Sequence, residues 1–285
     1  MALDNFIPQI WSARLMASLK KSLVYAQPGI VNRDYEGEIR EKGNTVKINS
    51  IGAVTVSDHS KNSDISAPEA LSDADQVLVI EKAKYFNFQV DDVDRVQQMP
   101  QVMDQAMVEA AYALADQTDQ YVAGLYTGCN ASNLIGSTGS PTAIDTAAKA
   151  YEALVDLGTL LTQSNIPTSE RWVIVPPWFY GLMLKDDRFV RAGTVATDQV
   201  LRNGEIGQAA GFRVLQSNNV PNDGSGAKYR IIAGHPMAIS FAEQVNKVEA
   251  YRPERRFADA VKGLHLYGAK LVRNKAIAVG TFNKS

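Results

Sequence analysis

The chain has 285 residues, 45% of them hydrophobic, enough for one large domain or two smaller ones with a sizeable core. Its 29 basic and 31 acidic residues leave a net charge of −2, and the pI is about 6.0, which is not the balance of a protein whose main task is to grip nucleic acid or an acidic membrane surface. One cysteine, Cys129, excludes an intrachain disulfide and a cysteine-based metal site, and fits a reducing compartment such as the cytoplasm.

Near the N-terminus, Asp4 stands where a signal peptide would carry lysine or arginine, and no apolar run follows. No stretch approaches about 18 uninterrupted apolar residues, so no membrane span is expected. Residues 1–44 read as an extended arm with one short helix. Trp11, Leu15, Leu19 and Leu23 form an i+4 ladder, and Gln27-Pro28-Gly29 stops it. The arm is too poor in apolar residues to fold alone, so it must lean on its own subunit or on another.

At Thr45 the period changes. Val46, Ile48, Ile51, Val54 and Val56 are mostly alternating β-branched residues, with Gly52 as a bulge or bend. A polar stretch from Ser57 to Asp75 follows, and alternation resumes at Val77, Val79, Phe86, Phe88 and Val90. These features predict a long β-hairpin over 45–90 with a wide polar tip. A two-stranded ribbon is marginal in water, so it must pack on something. The acidic cluster Asp91-Asp92-Val93-Asp94 invites a metal reading, but no glycine and bidentate glutamate follow at calcium-loop spacing. Acidic residues ahead of a helix complement its positive N-terminal end, which is the plainer explanation.

Pro100 opens the dominant element, a helix from Met99 to Thr127 rich in Ala, Met, Gln, Glu and Leu. Met103, Met107, Ala110, Leu114, Tyr121 and Leu125 form one apolar stripe, and no lysine or arginine occurs. About 26 residues at 1.5 Å each span roughly 39 Å, enough to cross a whole domain. Helices are then expected over 143–163 and 178–185, with strands at 171–175 and 212–215, so 128–235 reads as an α+β subdomain. Strands dominate the remainder, at 229–233, 237–241, 245–251, 263–271 and 276–282, interrupted by Arg252-Pro253-Glu254-Arg255-Arg256. From Gln244 onward basic residues outnumber acidic ones, whereas the long helix has acidic residues only. That asymmetry suits self-association.

Catalytic constellations are missing from the sequence. His59, His235 and His265 show no i, i+4 pairing, and His235 reads as a turn residue before Pro236. Gly224-Ser225-Gly226 lacks the strand and helix of a nucleophile elbow. Gly204, Gly207 and Gly211 match neither a dinucleotide nor a phosphate-loop spacing. Cys129 has no histidine near it in sequence and reads as a structural thiol. No catalytic residue, cofactor or metal is expected, and the chain is read as a non-enzyme.

The order of elements resembles the major capsid proteins of tailed bacteriophages, the Hong Kong 97-like fold of the α+β class. The likeness rests on that order together with Gly43-Asn44-Thr45-Val46-Lys47-Ile48, Phe86-Asn87-Phe88-Gln89-Val90-Asp91-Asp92, Gly204-Glu205-Ile206-Gly207, Gly211-Phe212-Arg213-Val214 and Asn218-Asn219-Val220-Pro221. It implies an N-terminal arm (1–44), an E-loop hairpin (45–90), a P domain with its spine helix (91–127) and its C-terminal strands (236–285), and an A domain (128–235). It also implies self-assembly into pentamers and hexamers of an icosahedral shell that encloses double-stranded DNA without sequence-specific binding. The shell would be built in the host cytoplasm with a portal and a separate scaffolding protein, and decoration proteins could join it. Candidate intersubunit contacts are His59, Lys61, Asp64, Glu69 and Asp73 on the hairpin, and Arg252, Glu254, Arg255 and Arg256 beyond it. Some family members crosslink a lysine to an asparagine. Lys61 and Asn62 lie on the hairpin tip, but the sequence offers no partner for them. Two competing readings are an encapsulin-type nanocompartment shell and a soluble α+β hydrolase or transferase.

Overall fold

The computed structural model describes residues 24–34, 45–51, 73–91, 102–186, 207–255 and 257–284, with positions 56, 58, 59, 61 and 64 between the first two strands. The expected stretches at 11–23, 35–44, 92–101 and 187–206, including the acidic run from Asp92 and Gly204 of the glycine series, lie outside the described residues.

Strands β1 (Thr45–Ile51) and β2 (Asp73–Val79) pair antiparallel, Thr45 opposite Val79 and Ile51 opposite Asp73. The hairpin therefore closes at Val79, not at residue 90. Strand β3 (Lys82–Asp91) leaves it after two residues and joins a three-stranded antiparallel sheet. The physical reason is a change of partner. Phe86 and Phe88 need a buried face, and β3 finds it beside the strand at Ala258–Leu271, with Phe86 opposite Gly263 and Phe88 opposite Val261. That sheet has the order β10-β11-β3, with β10 at Ile239–Tyr251 and β11 at Ala258–Leu271. The two strands expected at 237–241 and 245–251 are one, with a register shift between Gln244 and Lys247.

Helix α1 spans Val102–Gly124 and tightens into a 3-10 turn at Leu125–Gly128. Its 23 residues extend about 35 Å. Its buried face is Met107, Ala111, Leu114, Ala115, Thr118, Asp119, Val122 and Ala123, turned by about one position from the expected stripe. Ala110, Tyr121 and Leu125 are half-buried at its margin.

A second sheet has seven strands in the order β4-β12-β9-β6-β8-β7, with β5 also on β12. These are β4 (Leu134–Ile135), β5 (Thr142–Ile144), β6 (Trp172–Val175), β7 (Gln208–Ala209), β8 (Phe212–Gln216), β9 (Lys228–Gly234) and β12 (Ile277–Lys284). Strand alternation divides its residues between two cores. Trp172, Ile174, Ile232, Ile277 and Val279 share a core with α1 and the inner face of the three-stranded sheet. Val173, Val175, Ile231, Ala233, Ala278 and Phe282 face helices α2 (Ala147–Gln163) and α3 (Pro177–Leu184). Thr146 caps α2 by accepting from the Lys149 amide, and Leu154, Leu157 and Leu161 are fully buried, each worth about 1.5–3 kcal/mol. Of the strands in 236–285, β10 and β11 lie in the three-stranded sheet, whereas β12 runs inside the sheet built from the 128–235 segment. Its alternate residues are apolar on both sides, which only a strand covered on both faces needs.

Candidate functional site

The surfaces that can meet another copy are set by three local arrangements. The first is the hairpin. Its stem is seated on its own subunit: Ile48, Leu78 and Ile80 are buried against Ala242, Leu266 and Val272. The Gln76 Nε2 donates to the Val272 carbonyl at 3.1 Å, and the Lys270 Nζ donates to the Val77 carbonyl at 2.9 Å. The described tip residues are exposed. Val56 is 92% exposed, and His59, Lys61 and Asp64 all face solvent.

The second is the arm. Tyr25, Ala26, Ile30 and Val31 are buried in the core shared with α1. Asp119, on the buried face of α1, accepts from the amides of Val24 at 2.9 Å and Tyr25 at 2.8 Å. The Asn219 Nδ2 donates to Asp116 at 2.7 Å and reaches Asp119 at 3.4 Å. Burial pushes the Asp119 carboxyl above its ordinary value, against the pull of these donors. Farther along, the Arg33 Nη2 donates to the Ala26 carbonyl at 2.6 Å, while its Nη1 stands 3.4 Å from Glu243 and its guanidinium lies over Phe241. At the root of β10 the Asn32 amide donates to the Ile239 carbonyl at 2.8 Å, and the Asn32 carbonyl accepts from the Phe241 amide at 2.9 Å. The segment 24–34 therefore leans on its own subunit.

The third is the outer face of the three-stranded sheet. Tyr85, 78% exposed, stands directly opposite Leu264, itself exposed. Beside them the exposed pair Lys262–Glu249 closes at 3.0 Å, and Tyr251 donates to Asn87 at 3.2 Å. Phe257, in the β10–β11 turn, is 81% exposed. Helix α1 presents Val108 and Tyr112, each 60% exposed and one turn apart.

The structure divides the expected contact residues between two places. His59, Lys61 and Asp64 lie on the exposed tip, and Asp73 opens β2. Arg252, Glu254 and Arg255 are exposed in the β10–β11 turn. Glu69 and Arg256 lie outside the described residues. Sequence reasoning missed Asp119, Asn219, Arg33 and Glu243, although a lone carboxylate on the apolar side of a helix is a readable signal for the first.

Chemistry of other kinds has little to work with. Two clefts of about 460 and 310 Å³ have linings without a histidine, cysteine or carboxylate. His235 accepts from the Met237 amide at 3.2 Å as the cap of the turn at 236–238, and burial lowers its pKa. The half-buried Cys129 thiol is pushed up to about 11 by burial, far from a thiolate nucleophile. Among the described residues no group of three or more metal-ligating side chains gathers, and no helix is long and apolar enough to cross a membrane.

Comparison with known proteins agrees with this layout. The model of the phage capsid protein family matches residues 74–280. A solved structure of Mycobacterium phage Che8 is 31% identical, covers 100% of both chains and has a TM-score of 0.74. The capsid structure of Cyanophage P-SCSP1u is 17% identical over 86% of this chain and 85% of that one, at a TM-score of 0.69. The virus-like particle from Pyrococcus furiosus is 12% identical over 95% and 98%, at 0.57. No curated protein matches the chain significantly. With its family matched over most of its length, the chain belongs to the phage capsid proteins, as a tailed-phage major capsid protein of the Hong Kong 97-like fold.

Proposed function

We propose that this shell-forming protein assembles as pentamers and hexamers of an icosahedral capsid that encloses double-stranded DNA. Assembly runs in the host cytoplasm with a separate scaffolding protein and a portal, and decoration proteins can be added to the finished shell. In this reading the β1–β2 hairpin is the E-loop. Helix α1 and the three-stranded sheet form the P domain. The seven-stranded sheet with α2 and α3 forms the A domain, including the strand at 277–284. The chain has no catalytic role. The observation that carries the reading is a hairpin anchored at its stem and exposed at the described residues of its tip, in a chain similar to Che8 along its full length. Such a tip gains its burial from a neighbour, and many weak contacts of this kind let a shell form reversibly.

The test is expression of the chain, alone and with scaffolding protein, followed by sedimentation and negative-stain electron microscopy. Capsomers or closed shells are expected. A monomer under every assembly condition would overturn the reading. Replacing 58–70 with a short Gly-Ser linker is expected to leave the subunit folded and abolish shells. Small shells of one fixed size that package protein in place of nucleic acid would favour the nanocompartment reading.

A further inference from the structure

We propose that Gly268 is a positioning residue for assembly: the notch that fixes the angle at which the hairpin leaves the subunit before any neighbour is met. The inference rests on the self-assembly reading and concerns the part of the subunit that reading makes responsible for contact.

The outward row of β11 runs Leu266, Gly268, Lys270, and Val272 follows just past the strand end. Every member of this row engages the hairpin root. Leu266 and Val272 pack on the cluster of Ile48, Leu78 and Ile80. Lys270 holds the Val77 carbonyl at 2.9 Å, and the Val272 carbonyl accepts from Gln76 at 3.1 Å. At Gly268 the hairpin backbone itself crosses the strand. A Cβ there would stand 2.9 Å from the Ile80 Cα and 3.0 Å from the Val79 carbonyl carbon, and closer still to the Val79 oxygen. The obstacle is backbone, so no side-chain rotation can relieve it. Two residues, Ile80 and Glu81, separate the stem from β3, so the root cannot shift without dragging the sheet edge.

The consequence is leverage. A seven-residue strand is about 23 Å long, so a tilt of about 5° at the root moves its far end by about 2 Å. A shift of that size at a contact surface is enough to misplace it. The glycine therefore sets curvature: it holds the root down so that the tip points at one fixed angle.

Amide hydrogen exchange of the unassembled full chain, with sedimentation and electron microscopy of its assembly products, tests this. Gly268→Ala is expected to speed exchange of the β1–β2 stem amides about tenfold or more, to leave the seven-stranded sheet unchanged, and to give irregular shells or none. Lys270→Met, which loosens the root without crowding it, is expected to shift stem exchange in the same direction by about threefold. Gly181→Ala, where nothing lies within 4 Å of the added methyl, is the control and should assemble as wild type. Wild-type stem exchange and regular shells in Gly268→Ala would overturn the proposal. So would a general loss of structure in Gly268→Ala combined with an unaffected stem in Lys270→Met. A wild-type chain that forms no capsomers or shells would instead refute the self-assembly reading, and stem exchange would still decide whether Gly268 is the notch.

Discussion

The seven-stranded sheet is covered on both faces by its own chain, whereas the three-stranded sheet is covered on its inner face and on one end of its outer face. In the first, alternate residues of β6, β9 and β12 divide between two apolar cores. In the second, the hairpin root closes over Leu266 and Gly268, while Tyr85 and Leu264 remain in solvent. Among the described residues, the three most exposed large apolar side chains, Val56, Phe257 and Tyr85, all belong to the hairpin or the three-stranded sheet and its turn. The contrast teaches where each half finds its stability. One half completes itself within the subunit. The other keeps apolar area in reserve, which a monomer has no reason to do and a shell subunit has.

The sharpest way to break this comparison is to damage the closed half. Leu157→Ala removes a fully buried side chain between α2 and the sheet, and is expected to cost about 3 kcal/mol in denaturant unfolding. A loss below about 1 kcal/mol would mean that half is loosely packed. Next comes the arm anchor. Asp119→Ala leaves the buried amide of Tyr25 without its acceptor, and is expected to cost about 1–3 kcal/mol and to expose residues 24–31 to proteolysis. Because burial raises this carboxyl in the folded state, its protonated form is favoured there. Its contribution is full below the ordinary value of 3.8 and declines as pH rises toward the folded value. Asp119→Asn should flatten that part of the pH–stability profile, and an unchanged slope would assign it to other groups.

Two smaller effects sharpen the contrast. The β7–β8 turn places both Ala210 and Gly211 at positive φ, +50° and +78°, a conformation that suits Asn-Gly and costs alanine. Ala210→Asn is expected to stabilise the subunit by about 0.5–1 kcal/mol, read as a higher Tm. Smallest in stability is Tyr85→Ser, expected to stay within about 0.5 kcal/mol in unfolding while it weakens sedimentation of capsomers. A large stability loss would show that Tyr85 is already packed within its own subunit.

Much of the fold was legible because period and composition are local signals. The long helix, α2, β6 and the late strands followed from apolar spacing and from Pro and Gly punctuation. What failed was pairing, which depends on residues far apart in the chain. β3 reads as the return strand of a hairpin until its partner Gly263 is known, and the sheet that β12 joins is not readable until its partners β4 and β9 are known. The one-position rotation of α1 arises because three alanines and a threonine sit on its buried face, and small residues mark a face weakly. For the candidate site, exposure of the described tip residues follows from the polar composition of the segment. The anchors did not, since Asp119 meets the arm 94 residues away and Gly268 meets a backbone that sequence cannot place.

The position of β12 also has a consequence for the order of synthesis. It lies between β4 and β9, so once residues 134–234 have left the ribosome β9, β6, β8 and β7 can pair, but the sheet cannot reach β4 and β5. The earlier strands wait for residues 277–284 before β4 and β5 have any partner at all, a long-range closure that comes late and exposes apolar faces meanwhile. A chain cut short before Ile277 is therefore not a subunit with a trimmed end but one with an open core.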